Sequence, residues 1–240
     1  MISHKELVKK LTQELIQDSN VLSLILYGSV SRNEESTNSD IDLLMIVNEN
    51  HLQKRHIVQY GITIEFVEMH ISYLQDFISK REIPMLFALA DGIVLFNKIA
   101  ATEQLIMESK RIIEDGPPQN SHWENESYRI KKRSDLTEIY KDLLDVDDLI
   151  KFNYIVSILL TTAIPMLIEI NNLWHQTRKK TMDYLKCNCC EGYNYIEILL
   201  KPECSLVEKR NAAKKLVEYT FCQYGGILEG EAVIFTKSKI

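Results

Sequence analysis

The sequence predicts an α+β domain followed by an all-helical one, and three observations carry that fold class. Short apolar runs bounded by glycine and polar turns fall between residues 21 and 96. A hard stop follows at Asp115-Gly116-Pro117-Pro118, and residues 123–224 then hold long stretches of helical period with few strand signals. The expected domains are therefore 1–116 and 117–240. At 240 residues, with 45% hydrophobic and 26% charged residues, only 8 Gly and 5 Pro, the composition is that of an ordinary globular protein, which excludes fibres and disorder.

Each element has its own signal. Ser3 followed by Glu6 fits a capping box, and Leu7, Leu11 and Leu15 with Val8 and Ile16 recur at helical spacing, so the first element is an amphipathic helix ending near Asp18. VLSLILY at 21–27 stops at Gly28 and reads as a buried strand; the polar stretch Ser29 to Ser39 is a turn or short helix, and DIDLLMIV at 40–47 resumes an apolar strand. Residues 54–60 and 62–69 are extended segments broken at Gly61. Ser72 to Lys80 is helical, 93–96 is a strand, and a helix from about Ala101 to Glu114 is ended by Gly116 and the two prolines. Beyond the boundary, Tyr128 to Leu144, Asp147 to Asn171, Thr177 to Lys186 and Ser205 to Tyr224 form a helical bundle.

The segment that carries chemistry is Leu26-Tyr27-Gly28-Ser29-Val30-Ser31-Arg32, followed by Asp40-Ile41-Asp42-Leu43. Strands disfavour Asp, yet two open this apolar run; because strand side chains alternate, both point the same way while Ile41 and Leu43 turn to the core. Two carboxylates a few Å apart repel, and a hard, oxygen-seeking cation such as Mg²⁺ relieves the repulsion. Gly28 allows close backbone approach, the Ser29 hydroxyl and neighbouring amides can donate to phosphate oxygens, and Arg32 can add a charge-assisted contact. Glu65, within Ile62-Thr63-Ile64-Glu65-Phe66, is a third acid in an apolar strand, with Glu68 three residues on as its alternative. Gly-Ser alone is an ordinary turn, and Asp-x-Asp alone is usually a solvated strand end.

Taken together in this order, these motifs resemble the nucleotidyltransferase superfamily, the DNA polymerase β-like fold, over residues 21–68. The resemblance implies a mixed sheet with flanking helices. It also implies a triphosphate-binding turn at Gly28 and Ser29, and metal binding by Asp40, Asp42 and a third acid, Glu65. Many members have glycine after the arginine where this chain has Asn33, a residue that tolerates left-handed geometry. Length and layout are similar to the kanamycin nucleotidyltransferases and related aminoglycoside and lincosamide enzymes. That likeness implies a general base on the helix Tyr128 to Leu144, at Asp135 or Glu138, with Asp142 on the same stripe, and it allows a homodimer. Set against it, this helix also carries Lys131, Lys132, Arg133 and Lys141, the composition of a solvated charged face.

The implied activity is ATP- and Mg²⁺-dependent transfer of AMP to a hydroxyl of a small molecule such as an aminoglycoside-like antibiotic. The alternatives are a protein-adenylylating, antitoxin-type enzyme and a nucleotide-binding protein without catalysis. A net charge of -6 removes the basic surface a nucleic-acid binder needs. Acids from Glu124 to Asp148 favour a cationic acceptor. The N-terminus lacks a signal peptide's apolar core, and Ile155 to Ile168 is interrupted and shorter than a span of about 20 residues, so a cytoplasmic protein away from the membrane is expected. The cysteines Cys187, Cys189, Cys190, Cys204 and Cys222 lack a second close pair for zinc and read as reduced thiols. His51, His56, His70 and His175 show no ligand spacing.

Overall fold

A computed structural model describes residues 2–230, and the chain divides into two compact units, Met1–Gly116 and Pro117–Ile240. The last ten residues of the expected second domain, 231–240, lie outside the described residues. The fold is α+β: a mixed five-stranded sheet with flanking helices, then a run of helices.

In the first unit, helix α1 (His4–Leu15) carries the Ser3/Glu6 capping box, with both reciprocal hydrogen bonds made. Strand β1 (Val21–Tyr27) leads through a single helical turn, α2 (Gly28–Ser31), to β2 (Ile41–Val47). The strand therefore opens at Ile41, and Asp40 stands just outside it. Strands β3 (Leu52–Gln59) and β4 (Ile62–His70) form a tight hairpin whose two central residues, Tyr60 and Gly61, have φ of 52° and 80°, the positive values a two-residue hairpin turn needs. Then come α3 (Ile71–Ser79), α4 (Ile83–Ala90), β5 (Ile93–Asn97) and α5 (Ala100–Asp115), which ends at Gly116 with φ 87°. The sequence reading leaves the α4 region without an element, because IPMLFALA is apolar all round and carries Pro84. Proline is harmless there, since it falls in the first turn, where its missing N–H has no helical partner.

The sheet order is β3-β4-β2-β1-β5, with β2 and β4 parallel and the other neighbours antiparallel. One face packs Leu24, Leu26, Ile41, Leu43, Met45, Ile64 and Phe66 against Leu7, Val8 and Leu11 of α1. The alternating residues Ile25, Leu44, Ile46, Val67 and Met69 are buried on the other face. There α3 packs on β4 and α4 on β1. Burial on both faces explains why β1 and β2 read as nearly continuous apolar runs.

The second unit contains α6 (Glu126–Leu144), α7 (Leu149–Ile170), α8 (Thr181–Asn188), α9 (Cys190–Leu200) and α10 (Leu206–Thr220). Its core joins Leu136, Phe152, Leu159, Ala163, Ile196, Leu216 and Phe221. Helix α9 is absent from the sequence reading because only Cys189 separates it from α8. Helix α7 lies within the expected helix Asp147 to Asn171, with Pro165 inside it; at 22 residues it is long and apolar enough, by length and composition, to cross a membrane, which corrects the expectation that this stretch is too short. Its buried residues, Phe152 to Ile168, belong to the unit's own core.

Phe152 is fully buried, with the Arg210 guanidinium 5.7 Å from its ring centroid. Phe152→Ala is expected to cost about 3–5 kcal/mol through lost burial and the cavity left behind. Both tryptophans, Trp123 and Trp174, lie in this unit. Urea unfolding followed by tryptophan fluorescence therefore reads the effect directly, and an unchanged midpoint would contradict this packing.

Candidate active site

Strand register builds the site. Tyr27 of β1 pairs with Asp42 of β2, Asp42 pairs with Glu65 of β4, and Glu65 pairs with His56 of β3. Residues directly opposite one another point to the same side, so His56, Glu65, Asp42 and Tyr27 form one polar row across four strands. Glu68 pairs with Met45 and lies on the opposite face, where it is ion-paired with Arg55; Glu65 is therefore the acid beside Asp42.

Gly28 closes the row from below. Its φ is 77°, and a Cβ there would sit 2.0 Å from Asp42 Oδ2, so neither the backbone shape nor the space admits another residue. The loop that follows is anchored. Arg32 N and Glu34 N donate to Ser29 O, Asn33 takes φ 57°, Ser39 Oγ accepts from Ser36 N, and His4 Nε2 lies 2.8 Å from Ser39 O. Asn33 thus takes the left-handed geometry that the sequence expects it to tolerate. The Arg32 guanidinium is already engaged, 2.8 Å from Glu34 and 3.8 Å from Asp91.

Burial of Asp42 disfavours its charged form, and Glu65 and then Asp40 repel it, so its carboxyl is pushed up to about 6. The Tyr27 hydroxyl, buried and beside Glu65 and Asp42, is held neutral well above its usual range and donates to Glu65 Oε1 at 3.3 Å. Lys54 Nζ lies 2.8 Å from Glu65 Oε1, and His56 Nε2 3.6 Å from Oε2.

Among the described residues no three His, Cys, Asp or Glu side chains converge closely enough to enclose a metal ion. Asp40 is exposed, and Glu65 is drawn toward Lys54. The donor set nevertheless fits a hard divalent cation. All three groups are carboxylates, two stand side by side in register, their mutual repulsion raises Asp42, and an ammonium stands in as the compensating charge. Tyr27, Lys54 and His56 are the site residues that the motif reading misses. Counting back from the hairpin turn would have found His56, since each step pairs Gln59 with Ile62 and so reaches His56 opposite Glu65.

In the second unit, Asp135 is half-buried on α6, while Glu138 is exposed and accepts from Ser134 Oγ at 3.2 Å. Asp147 is paired with Arg210 at 2.7 Å, and Asp148 caps α7 through Lys151 N, so these two acids serve local structure. A pocket of about 520 Å³ is lined by Trp123, Glu124, Glu169, Gln223 and Tyr224 among others. Glu169 accepts from Trp123 Nε1 at 3.1 Å, and the Trp123 and Tyr224 rings are nearly parallel. The cysteines are free thiols; Cys189 is buried, which pushes its thiol up.

The family described as polymerase beta, nucleotidyltransferase, matches residues 9–112, the span that contains the whole row. A Methanocaldococcus jannaschii protein provisionally named a protein adenylyltransferase is 32% identical over 79 residues, 33% of this chain and 77% of that protein. The chain belongs to the polymerase β nucleotidyltransferase family. It is an enzyme of that family, a nucleotidyltransferase. A solved nucleotidyltransferase-like protein from Exiguobacterium sibiricum 255-15 overlays 92% of this chain and 75% of its own, at 13% identity and a TM-score of 0.44, too loosely to bear on chemistry.

The raised Asp42 carboxyl has a measurable consequence for stability in this nucleotidyltransferase. Its folded pKa exceeds the ordinary value near 4, so the folded protein holds the proton more tightly than the unfolded chain. The charged form therefore costs stability, and the cost grows as pH rises from about 4 through about 6. Two pH units correspond to roughly 3 kcal/mol, reduced to about 1–2 kcal/mol because the group keeps some solvent contact. Asp42→Asn is expected to stabilise the metal-free protein by that amount at pH 8 and hardly at all at pH 4, while transfer is lost. Denaturant unfolding in EDTA at both pH values checks it; a variant no more stable than wild type at pH 8 contradicts the repulsion described here.

Proposed function

We propose that this nucleotidyltransferase is an adenylyltransferase that moves AMP from ATP, with Mg²⁺, onto a hydroxyl of a small cationic acceptor. The single observation that carries the reading is the side-by-side pair Asp42 and Glu65 above Gly28 of the Gly-Ser turn. Asp40, Asp42 and Glu65 would hold Mg²⁺, which when bound supplies charge neutralisation of the triphosphate. The turn at Gly28 and Ser29 brings backbone amides and a hydroxyl to phosphate oxygens, with Arg32 adding positive charge nearby. The acceptor oxygen forms a bond to the α-phosphorus, the α–β phosphoanhydride bond breaks, pyrophosphate leaves, and the hydroxyl proton passes to Asp135 or Glu138.

A cationic acceptor is supported by the second unit's own pocket, where Glu124 and Glu169 stand beside the aromatic rings of Trp123 and Tyr224. A protein acceptor is the second reading, and it rests on the name of the archaeal relative.

Pyrophosphate release with ATP and Mg²⁺ across aminoglycosides, lincosamides, small amino-alcohols and candidate proteins tests both. Turnover is expected with a cationic small molecule, with an acceptor KM that rises as salt shortens the screening length from about 10 Å toward 3 Å. Preference for a neutral or protein acceptor, or a salt-independent KM, sinks the cationic reading. In the same assay one of Asp135→Asn and Glu138→Gln is expected to lower kcat about a hundredfold while the other changes little. Full activity in both would move the base off α6.

A further inference from the structure

Glu65 is a crowded carboxylate. Its Oε1 meets both Lys54 Nζ and the Tyr27 hydroxyl, and its Oε2 faces His56. Tyr27 and His56 belong to the cross-strand row and are held there by register. Lys54 is different: it pairs with Val67, two residues along β4, and reaches Glu65 diagonally. It also sits on the edge strand β3, and its side chain is 56% exposed against 17% for Glu65. The flexible stem can thus leave toward solvent without disturbing the sheet.

The charge balance gives this contact a purpose. Asp40, Asp42 and Glu65 crowd negative charge into one place, and Lys54 is the ammonium that touches it. A divalent cation entering between Asp42 and Glu65 competes for the carboxylate that Lys54 holds and is repelled by the ammonium while it stays. We propose that Lys54 is the resident counter-ion of the nucleotide-free site: it holds Glu65 until a divalent cation displaces it, and the freed ammonium then meets triphosphate oxygens. Metal alone binds weakly as a result, and nucleotide and metal strengthen each other's binding by the same factor. This rests on the reading of Asp42 and Glu65 as metal-holding carboxylates.

The test is a Mn²⁺ titration of the full chain, reading free Mn²⁺ by electron paramagnetic resonance, with and without α,β-methylene-ATP. Lys54→Gln, with its thermal unfolding followed alongside to confirm that the variant is folded at the assay temperature, is expected to bind Mn²⁺ about tenfold tighter without nucleotide. It should also lose most of the tightening that the analogue produces, whereas Lys54→Arg should behave like wild type. Unchanged or weaker Mn²⁺ binding by Lys54→Gln overturns the proposal. Asp42→Asn separates the two levels. If it abolishes Mn²⁺ binding while Lys54→Gln has no effect, only the counter-ion role fails. If wild type binds no Mn²⁺, or binds it as well as Asp42→Asn does, the metal-site reading fails and takes this proposal with it.

Discussion

Repulsion between two carboxylates held side by side in a sheet is the constraint around which the first unit is arranged. Asp42 and Glu65 occupy neighbouring positions on β2 and β4, partly buried, where burial and the Glu65 carboxylate disfavour the charge on Asp42. A protein keeps such a pair only if neighbouring groups offset the cost. Here the Tyr27 hydroxyl, the Lys54 ammonium and the His56 ring all gather on Glu65, leaving Asp42 to bear most of the strain.

The apolar framework determines where that pair can stand. Residues 41, 43 and 45 are locked into the core under α1, and Leu44 and Ile46 into the opposite face, so Asp42 has no freedom to change sides. A register slip of one residue in β2 would carry Asp42 into the face packed under α1 and swap every apolar side chain of the strand to the other face. Gly28 adds the last restriction, since Asp42 Oδ2 fills the space where any other residue would carry a Cβ. The Gly-Ser turn and the Asp-x-Asp strand are thus a single fitted object, which is why they occur together.

The second unit is governed by packing instead of charge. Its helices bury an apolar core along α7, and two of its acids are consumed by local tasks: Asp147 with Arg210 and Asp148 at a cap. The acids that remain distinctive are those set among aromatic rings, Glu169 above all, whose carboxylate holds the Trp123 indole in place. That pocket, more than the number of acids on α6, sets this unit apart from a plain charged surface.

By itself the sequence determined what local patterns can encode. Capping of α1, strands β1, β2 and β4, the hairpin glycine, the stop at Gly116 and the Gly-Ser and Asp-x-Asp motifs all depend on residues within a few positions of one another. Helices α4 and α9 escaped because a uniformly apolar run has no periodicity to detect and a one-residue break leaves no turn signal. Only the tertiary structure decided that Glu65, and not Glu68, stands beside Asp42, and that Tyr27, His56 and Lys54 share its surroundings. Those are facts of register between strands distant in sequence, and register is set by which faces the whole sheet must bury.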